Sequence, residues 1–307
     1  MNQKRFPQPI NHWYIFLSTV IKFDLRTGVI TAKLLFSSLQ MNSMLTHFRH
    51  PLYALSATLL ILLSPLTSAS DLQKEIRMKQ EIIDYIMDGE AIMLNDAVAQ
   101  HDFLTIYTES TMNTPKGAAI IIHGRGHHPN WAEVVHPLRT GLPEFGWHTL
   151  SIQAPVLDNN SSFYDYLDIQ QETDPRIESS IAFLQQKNIN NIVLIAHSCS
   201  VHMAFNWLHK HPDAGINAFI GIGMGSTDIG QPMRQPFPLQ DIKIPVLDIR
   251  GEYDYPAVIA KAPNRLKKMQ QAGNPKSDQR VVPGSDHYFT DRGDELLTEV
   301  VDWLKTL

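Results

Sequence analysis

From residue 118 onward, short apolar runs alternate with stretches of helical length. The first run, 118–122, is apolar at every position, which is typical of a central strand in a parallel sheet. Strand and helix alternate in this way in βαβ units, because parallel neighbours need a long crossover connection. The pattern predicts strands at 118–122, 149–153, 192–196, 218–223, 246–250 and 280–282, and helices at 175–186, 201–209, 258–271 and 295–304. We therefore expect an α/β fold with a mostly parallel central sheet and helices on both faces.

The residues before this region add one helix and two strands to the prediction. Leu72, Ile76, Ile83 and Ile86 recur at helical spacing among charged residues, and Asp88-Gly89 supplies a stop. Two strand-like runs follow at 91–94 and 103–108.

An uncharged stretch near the N-terminus is typical of a secretory signal. Residues 44–50 carry Arg49, the apolar core covers 52–63, and small residues precede Asp71. The core has the length of a signal core, roughly 7 to 15 residues, whereas a membrane-spanning helix needs about 20. We predict cleavage near Ala69 or Ser70, with an uncleaved anchor or a buried helix as the alternatives. Cleavage would leave no stable membrane span, and the protein would be periplasmic or secreted in a bacterium.

The predicted signal begins inside the chain, although a signal normally begins at the initiator. Met41 and Met44 lie just upstream of the charged segment. We therefore expect translation to start there, which makes 1–43 a mis-called N-terminal extension, 44–70 the signal peptide and 71–307 a single domain.

Charge and cysteine content exclude two classes of function. Residues 71–307 hold 20 of the 26 Lys and Arg and 30 of the 31 Asp and Glu, so this part is acidic and unsuited to nucleic acid. The one cysteine, Cys199, excludes a disulfide framework and multi-cysteine metal sites. His123, His127 and His128 lie close together but lack the spacing of a zinc helix, so we predict neither a metal nor another cofactor.

Chemically reactive residues follow four of the predicted strands, at the edge where ligands bind in parallel sheets. These segments are His-Gly-Arg-Gly at 123–126, Ala-His-Ser-Cys-Ser at 196–200, Gly-Glu-Tyr-Asp at 251–254, and Pro-Gly-Ser-Asp-His at 283–287. A serine, an acid and a histidine thus occur in that chain order.

This order resembles the α/β-hydrolase superfamily, and the resemblance covers nearly all of 71–307. More narrowly, the segment HGRGHHPNWAEVVHPLRTGLPEFGWHTLSIQAP resembles a group of exported bacterial α/β-hydrolase-like proteins of uncharacterised activity. The resemblance implies an α/β-hydrolase fold and a triad of Ser198, Asp254 and His287. It further implies that the backbone N–H groups of Arg125 and Cys199 form an oxyanion hole.

The predicted nucleophile lies in a segment that departs from the superfamily pattern. The turn around such a serine is sharp, and both positions two residues away are usually glycine. Here they are Ala196 and Ser200, so the segment alone leaves open whether Ser198 is a nucleophile or merely caps the following helix.

The other predicted roles follow from position on the strand ends. His287 would take the serine proton, and Asp254 would orient the His287 ring. Glu252 and Asp286 are rival acids for this role. The alternative for Asp254 is that it is an ordinary turn aspartate. We expect a substrate rim formed by His123, Gly124, Gly126 and His127.

Only residues 224–244 separate two predicted strands where this superfamily commonly inserts a lid, so no large cap domain is expected. Residues 155–174 carry Asn, Ser, Phe and Tyr and predict a polar, aromatic rim. The leading hypothesis is an exported serine hydrolase that cleaves a small-molecule or envelope-derived carboxylic ester or thioester through an acyl-enzyme on Ser198. A catalytically inactive binding protein of the envelope, or a peptidase or acyltransferase on the same fold, are the alternatives.

Overall fold

The computed structural model describes residues 70–307 and two N-terminal strands, β1 (Phe16–Phe23) and β2 (Ile30–Ser37). These two strands pair antiparallel and belong to a unit separate from that of Leu66–Leu307. Apart from Ser70, the predicted signal segment lies outside the described residues, as does most of the predicted extension. Both therefore remain predictions. Among the described residues, no helix is long and apolar enough to cross a membrane.

An eight-stranded sheet forms the centre of the larger unit, in the order β10-β9-β8-β7-β5-β6-β4-β3. All neighbours from β10 to β6 run parallel, whereas β4 pairs antiparallel with both β6 and β3. The strands are β3 (Glu90–Asp96), β4 (His101–Thr108), β5 (Gly117–Ile122), β6 (Trp147–Ile152), β7 (Ile192–His197), β8 (Ala218–Ile222), β9 (Val246–Gly251) and β10 (Asp278–Val282). The mostly parallel sheet that the sequence predicts is confirmed.

Seven α-helices accompany the sheet within residues 70–307, and five of them match the sequence prediction to within two residues at either end. They are α1 (Leu72–Tyr85), α2 (Val135–Gly141), α3 (Phe163–Asp168), α4 (Asp174–Gln186), α5 (Ser200–Lys210), α6 (Pro256–Ala272) and α7 (Gly293–Leu304). The sequence analysis did not predict α2 or α3, which have 7 and 6 residues and are too short to show a helical period. Within 155–174, the predicted rim, α3 buries Phe163 and Tyr166.

Both faces of the sheet are buried, which explains why its central strands are continuously apolar. Ile120 and Leu194 pack into one core with Trp207 of α5, whereas their neighbours Ile121 and Ile195 point to the opposite face. Successive strand residues face opposite sides of a sheet, so a strand covered on both sides needs an apolar residue at every position.

A buried cluster of charged residues joins α1 to α4 and to the end of β3. Arg176 of α4 contacts Glu75 of α1 at 2.9 Å and Asp96 at the end of β3 at 3.4 Å, and all three are at most 7% exposed. Burial raises the pKa of Glu75 despite the neighbouring guanidinium. Removing one partner of such a cluster leaves a buried charge unpaired, at a cost of roughly 3 to 5 kcal/mol.

The loops that follow the parallel strands meet at one edge of the sheet. Between β8 and β9, residues 223–245 contain neither helix nor strand, as the sequence predicts. Within residues 70–307, no large cap domain covers this edge.

Candidate active site

Ser198 lies in the sharp turn between β7 and α5, where the sequence places a nucleophile. Its backbone has a φ of +56°, in the left-handed region that ordinary residues rarely adopt. This conformation costs roughly 1 to 2 kcal/mol for a residue with a Cβ. The turn is held by a hydrogen bond of 2.8 Å from the Ser198 N–H to the carbonyl of Ile222 in β8. The strained backbone therefore presents the serine hydroxyl at the end of the sheet.

The structure brings Ser198, His287 and Asp254 together in one chain of hydrogen bonds. Ser198 Oγ lies 2.8 Å from His287 Nε2, and His287 Nδ1 lies 2.6 Å from Asp254 Oδ1. Since an ionised carboxylate only accepts hydrogen bonds, Nδ1 carries the proton and Nε2 is left to accept from the serine hydroxyl. His287 and Asp254 are 2% and 3% exposed, so the bond between these two residues is shielded from water.

The two rival acids have other partners. Glu252 accepts a hydrogen bond of 2.8 Å from the Gly284 N–H, and Asp286 accepts from the N–H groups of Tyr288 and Thr290 at 3.0 Å. These bonds shape the loop that carries the histidine. Of the three carboxylates, Asp254 is the one that contacts the imidazole.

Two residues that the sequence analysis did not single out lie against the His287 ring. The Tyr255 ring stacks on it, with centroids 4.2 Å apart and planes 20° from parallel. On Gly223, which follows β8 with a φ of +62°, a Cβ would lie 2.7 Å from His287 Cε1. Tyr255 directly follows Asp254 in the sequence, and this position could have identified it as a residue of the site. No local sequence signal shows that Gly223 faces His287.

The predicted oxyanion donors are free within the part of the chain that the structure describes. Neither the Arg125 N–H nor the Cys199 N–H donates to any protein acceptor there, and both residues line the same cavity as Ser198. Gly124 permits this approach, because a Cβ on it would lie 2.6 Å from His197 Nδ1. Two backbone donors without a protein acceptor thus belong to residues that line the same cavity as Ser198.

Ser200, which stands where a glycine is usual, holds the loop that carries Arg125. Its hydroxyl donates a hydrogen bond to the His123 carbonyl, and both residues are at most 2% exposed. His123 was predicted at the substrate rim, but it is buried instead and does not line the cavity. Its Nδ1 donates to the Gly124 carbonyl at 2.8 Å and its Nε2 accepts from the Ala154 N–H at 3.0 Å. Burial lowers the pKa of His123 to about 3, so the ring is neutral.

A second contact joins the Arg125 side chain to two other loops. Its guanidinium donates to both oxygens of Asp228, at 2.7 and 2.9 Å, and Asp228 Oδ2 also accepts from the Phe163 N–H at 2.6 Å. The hydrogen bonds from Arg125 lower the pKa of Asp228. Three segments that are distant in sequence thus converge on one carboxylate. Sequence reasoning missed Asp228, because such long-range pairing leaves no local signal.

A cavity of about 830 Å³ opens above Ser198. Of the residues predicted at its rim, Gly124 and His127 line it, whereas Gly126 does not. His127 stacks on Trp131 with ring centroids 3.7 Å apart, and burial lowers its pKa to about 4. The apolar lining comes from Phe163, Ile229, Pro232, Pro256 and Ala257. The cavity therefore joins the Ser198 hydroxyl to a largely apolar wall.

Among the described residues, no group of three His, Cys, Asp or Glu side chains is arranged to hold a metal ion. His123, His127 and His128 do not form such a group. Cys199 is buried, and burial raises the pKa of its thiol to about 12.

Comparison with solved structures identifies the class of fold. An esterase from Pyrococcus furiosus superposes with a TM-score of 0.55 at 13% identity, covering 73% of this chain and 93% of the esterase. An α/β serine hydrolase without a lid from Xanthomonas campestris gives a TM-score of 0.52 at 13% identity, covering 72% and 96%. An α/β serine hydrolase homologue from Coxiella burnetii gives 0.52 at 18% identity, covering 71% and 98%. The chain has the α/β-hydrolase fold, as the sequence resemblance implies.

The model of one protein family also matches the chain. The chain belongs to the family described as protein of unknown function (DUF3530), whose model matches residues 65–166 and 164–306. No curated protein matches the chain.

Proposed function

We propose that the chain is an exported serine hydrolase that cleaves a carboxylic ester or thioester through an acyl-enzyme on Ser198. The observation that carries this proposal is the hydrogen-bonded chain from Ser198 Oγ through His287 to Asp254, at 2.8 and 2.6 Å. A serine hydroxyl is a weak nucleophile until an adjacent base removes its proton, and a base oriented by a third group supplies that activation.

The first half of the reaction forms the acyl-enzyme. Ser198 Oγ attacks the substrate carbonyl carbon while His287 Nε2 takes the hydroxyl proton. The carbonyl oxygen becomes an oxyanion, which accepts hydrogen bonds from the Arg125 and Cys199 N–H groups. When the intermediate collapses, the bond to the leaving group breaks, and the imidazolium returns its proton to the departing alcohol or thiol. Asp254 stabilises the imidazolium in between.

Water completes the cycle. His287 Nε2 removes a proton from a water molecule, whose oxygen attacks the acyl carbon. The bond to Ser198 Oγ then breaks and the serine recovers a proton from the imidazolium. The products are a carboxylic acid and the regenerated hydroxyl.

The size of the cavity supports the proposal that the substrates are of modest size. A volume of about 830 Å³, with no cap domain from residues 70–307 above it, suits a small or flexible acyl group from a small molecule or an envelope component. A series of 4-nitrophenyl esters should therefore show the highest kcat/KM at short acyl chains. Best turnover at long acyl chains would contradict this part of the proposal.

The direct test is labelling with a fluorophosphonate, which reports an activated serine when the substrate is not known. We expect intact mass to show one adduct on the parent chain and none on a Ser198→Ala variant. No adduct on a folded parent chain would overturn the proposal and favour a binding protein. An adduct without ester turnover would favour the peptidase or acyltransferase alternative.

Export has its own test. Cell fractionation of the native host, followed by N-terminal sequencing, should find a periplasmic or secreted protein that begins at residue 70 or 71. A peptide from before Met41 would contradict the predicted start.

A further inference from the structure

The cavity above Ser198 holds three charged side chains, and only two of them pair with each other. Arg125 and Asp228 form a two-pronged ion pair, and Asp228 also accepts the Phe163 N–H. Three donors therefore occupy this carboxylate. The third charged side chain that lines the cavity is Lys261 of α6.

Lys261 makes no ion pair or hydrogen bond with any residue that the structure describes. Asp248, a buried acid that pairs with Arg265 of the same helix as Lys261, is occupied, because its Oδ2 accepts from Arg265 Nε at 2.7 Å and from Gln279 Nε2 at 2.6 Å. Partial burial, and then the positive charge of Arg265, lower the pKa of Lys261. Lys261 is partly buried, and its ammonium group has no counter-ion among the described residues.

Among the described residues of the cavity wall, the other groups neither add to this charge nor offset it at neutral pH. His127 is neutral because burial lowers its pKa to about 4, and burial also lowers the pKa of His197. Asp254 lies behind the His287 ring and does not line the cavity. The wall therefore carries one uncompensated positive charge in largely apolar surroundings, within a chain whose described part is acidic. A ligand of opposite charge would be attracted there more strongly than in water.

We infer that Lys261 is a specificity-determining residue that binds a carboxylate on the substrate, so that the preferred ester carries a second, free acid group on its acyl or alcohol part. This inference rests on the proposed function. A single carboxylate matches the single uncompensated charge, whereas a phosphate monoester carries close to two negative charges at pH 7 and would leave one unpaired.

The test compares anionic and neutral esters of matched size on the full chain. Mono-4-nitrophenyl glutarate against 4-nitrophenyl butyrate probes the acyl side, and 4-acetoxybenzoate against its methyl ester probes the alcohol side. We expect the parent to prefer the anionic ester in one of the two pairs. In that pair, Lys261→Gln should lower the ratio of the kcat/KM values about tenfold, the range of a hydrogen bond to a charged group.

Two further variants separate charge at this position from a general loss of charge. Lys261→Arg should keep most of the preference. Lys267→Gln removes an exposed lysine from the same helix outside the cavity and should leave the ratio unchanged. Raising the salt concentration should lower the ratio in the parent but not in Lys261→Gln. Equal ratios in the parent and in Lys261→Gln for both pairs would overturn the inference.

A binding measurement separates this inference from the proposed reaction. Calorimetry of monobutyl glutarate with Ser198→Ala, and with the double variant Ser198→Ala/Lys261→Gln, needs no turnover. We expect the double variant to bind about tenfold more weakly. Equal affinity in the two variants would overturn the inference even for an active hydrolase. Weaker binding by the double variant, with no ester hydrolysed by the parent, would instead contradict the proposed function alone.

Discussion

Replacing Ser200 with alanine tests whether this residue, which stands where a glycine is usual, supports the loop that carries Arg125, the proposed oxyanion donor. The Ser200 hydroxyl is the one donor to the His123 carbonyl within residues 70–307, and both groups are buried. Alanine removes the donor and leaves that carbonyl unpaired. An unsatisfied buried group costs roughly 1 to 3 kcal/mol. At about 2 to 4 °C per kcal/mol for a domain of this size, Tm should fall by about 6 °C.

The same change should slow the reaction, because the His123 carbonyl lies just before the segment that carries the Arg125 N–H. Removing an oxyanion donor altogether costs roughly 100- to 1000-fold in kcat, so loosening one should cost about tenfold. KM should change little, since the donor acts mainly on the transition state. Scanning calorimetry and steady-state turnover of 4-nitrophenyl butyrate measure the two effects.

Ser180→Ala is the matched control. Ser180 is also buried, and its hydroxyl also donates to a backbone carbonyl, that of Arg176 in α4, at 2.6 Å. That carbonyl keeps its helical N–H donor when the hydroxyl is removed. Ser180→Ala should therefore lower Tm less and leave kcat unchanged. If Ser200→Ala keeps kcat within about twofold of this control, the hydroxyl does not support the loop of the proposed oxyanion donor Arg125.

Two other predictions concern the histidines. Gly223→Ala should lower kcat about 100-fold, because the new Cβ would lie 2.7 Å from His287 Cε1 and displace the ring. Gly273→Ala is the control, because Gly273 has a φ of +80° and a Cβ on it would have no atom within 4 Å. This variant carries the same backbone strain and should leave kcat unchanged. Burial lowers the pKa of His123 and His202 to about 3 in the native protein. Between pH 6.5 and 3 the unfolded chain therefore binds more protons than the native one, and stability is lost as pH falls. From pH 7.5 to pH 5 the two together should lower the free energy of unfolding by about 4 kcal/mol. Urea unfolding at both pH values measures this loss, and equal stability would mean that neither ring is held neutral.

The sequence predicts the sheet well because its strands are covered on both faces. Runs such as 192–196 are apolar throughout, a pattern that few other environments require, and the observed β7 (Ile192–His197) extends the prediction by one residue. Helices α2 and α3 escaped prediction because neither is long enough to repeat a helical period. Fold class thus follows from local pattern, whereas short elements depend on the packing around them.

The site was predictable in part for a related reason. Ser198, Asp254 and His287 each follow a strand, so the order of strands alone places them at one edge of the sheet. What surrounds them depends on contacts between distant segments. The pairing of Arg125 with Asp228, 103 residues apart, cannot be read from either local sequence. The burial of His123 likewise depends on the backbone of Ala154, which lies 31 residues away.

The burial of Cys199 has a consequence for covalent probes of this cavity. A thiol reacts with alkylating reagents as the thiolate, and burial that raises the pKa to about 12 leaves almost none at neutral pH. The chain has a single cysteine, and it is 4% exposed although it directly follows Ser198. Maleimides and iodoacetamide should therefore leave the folded protein unmodified. A covalent label that enters the cavity under these conditions reports an oxygen or nitrogen nucleophile without interference from sulfur.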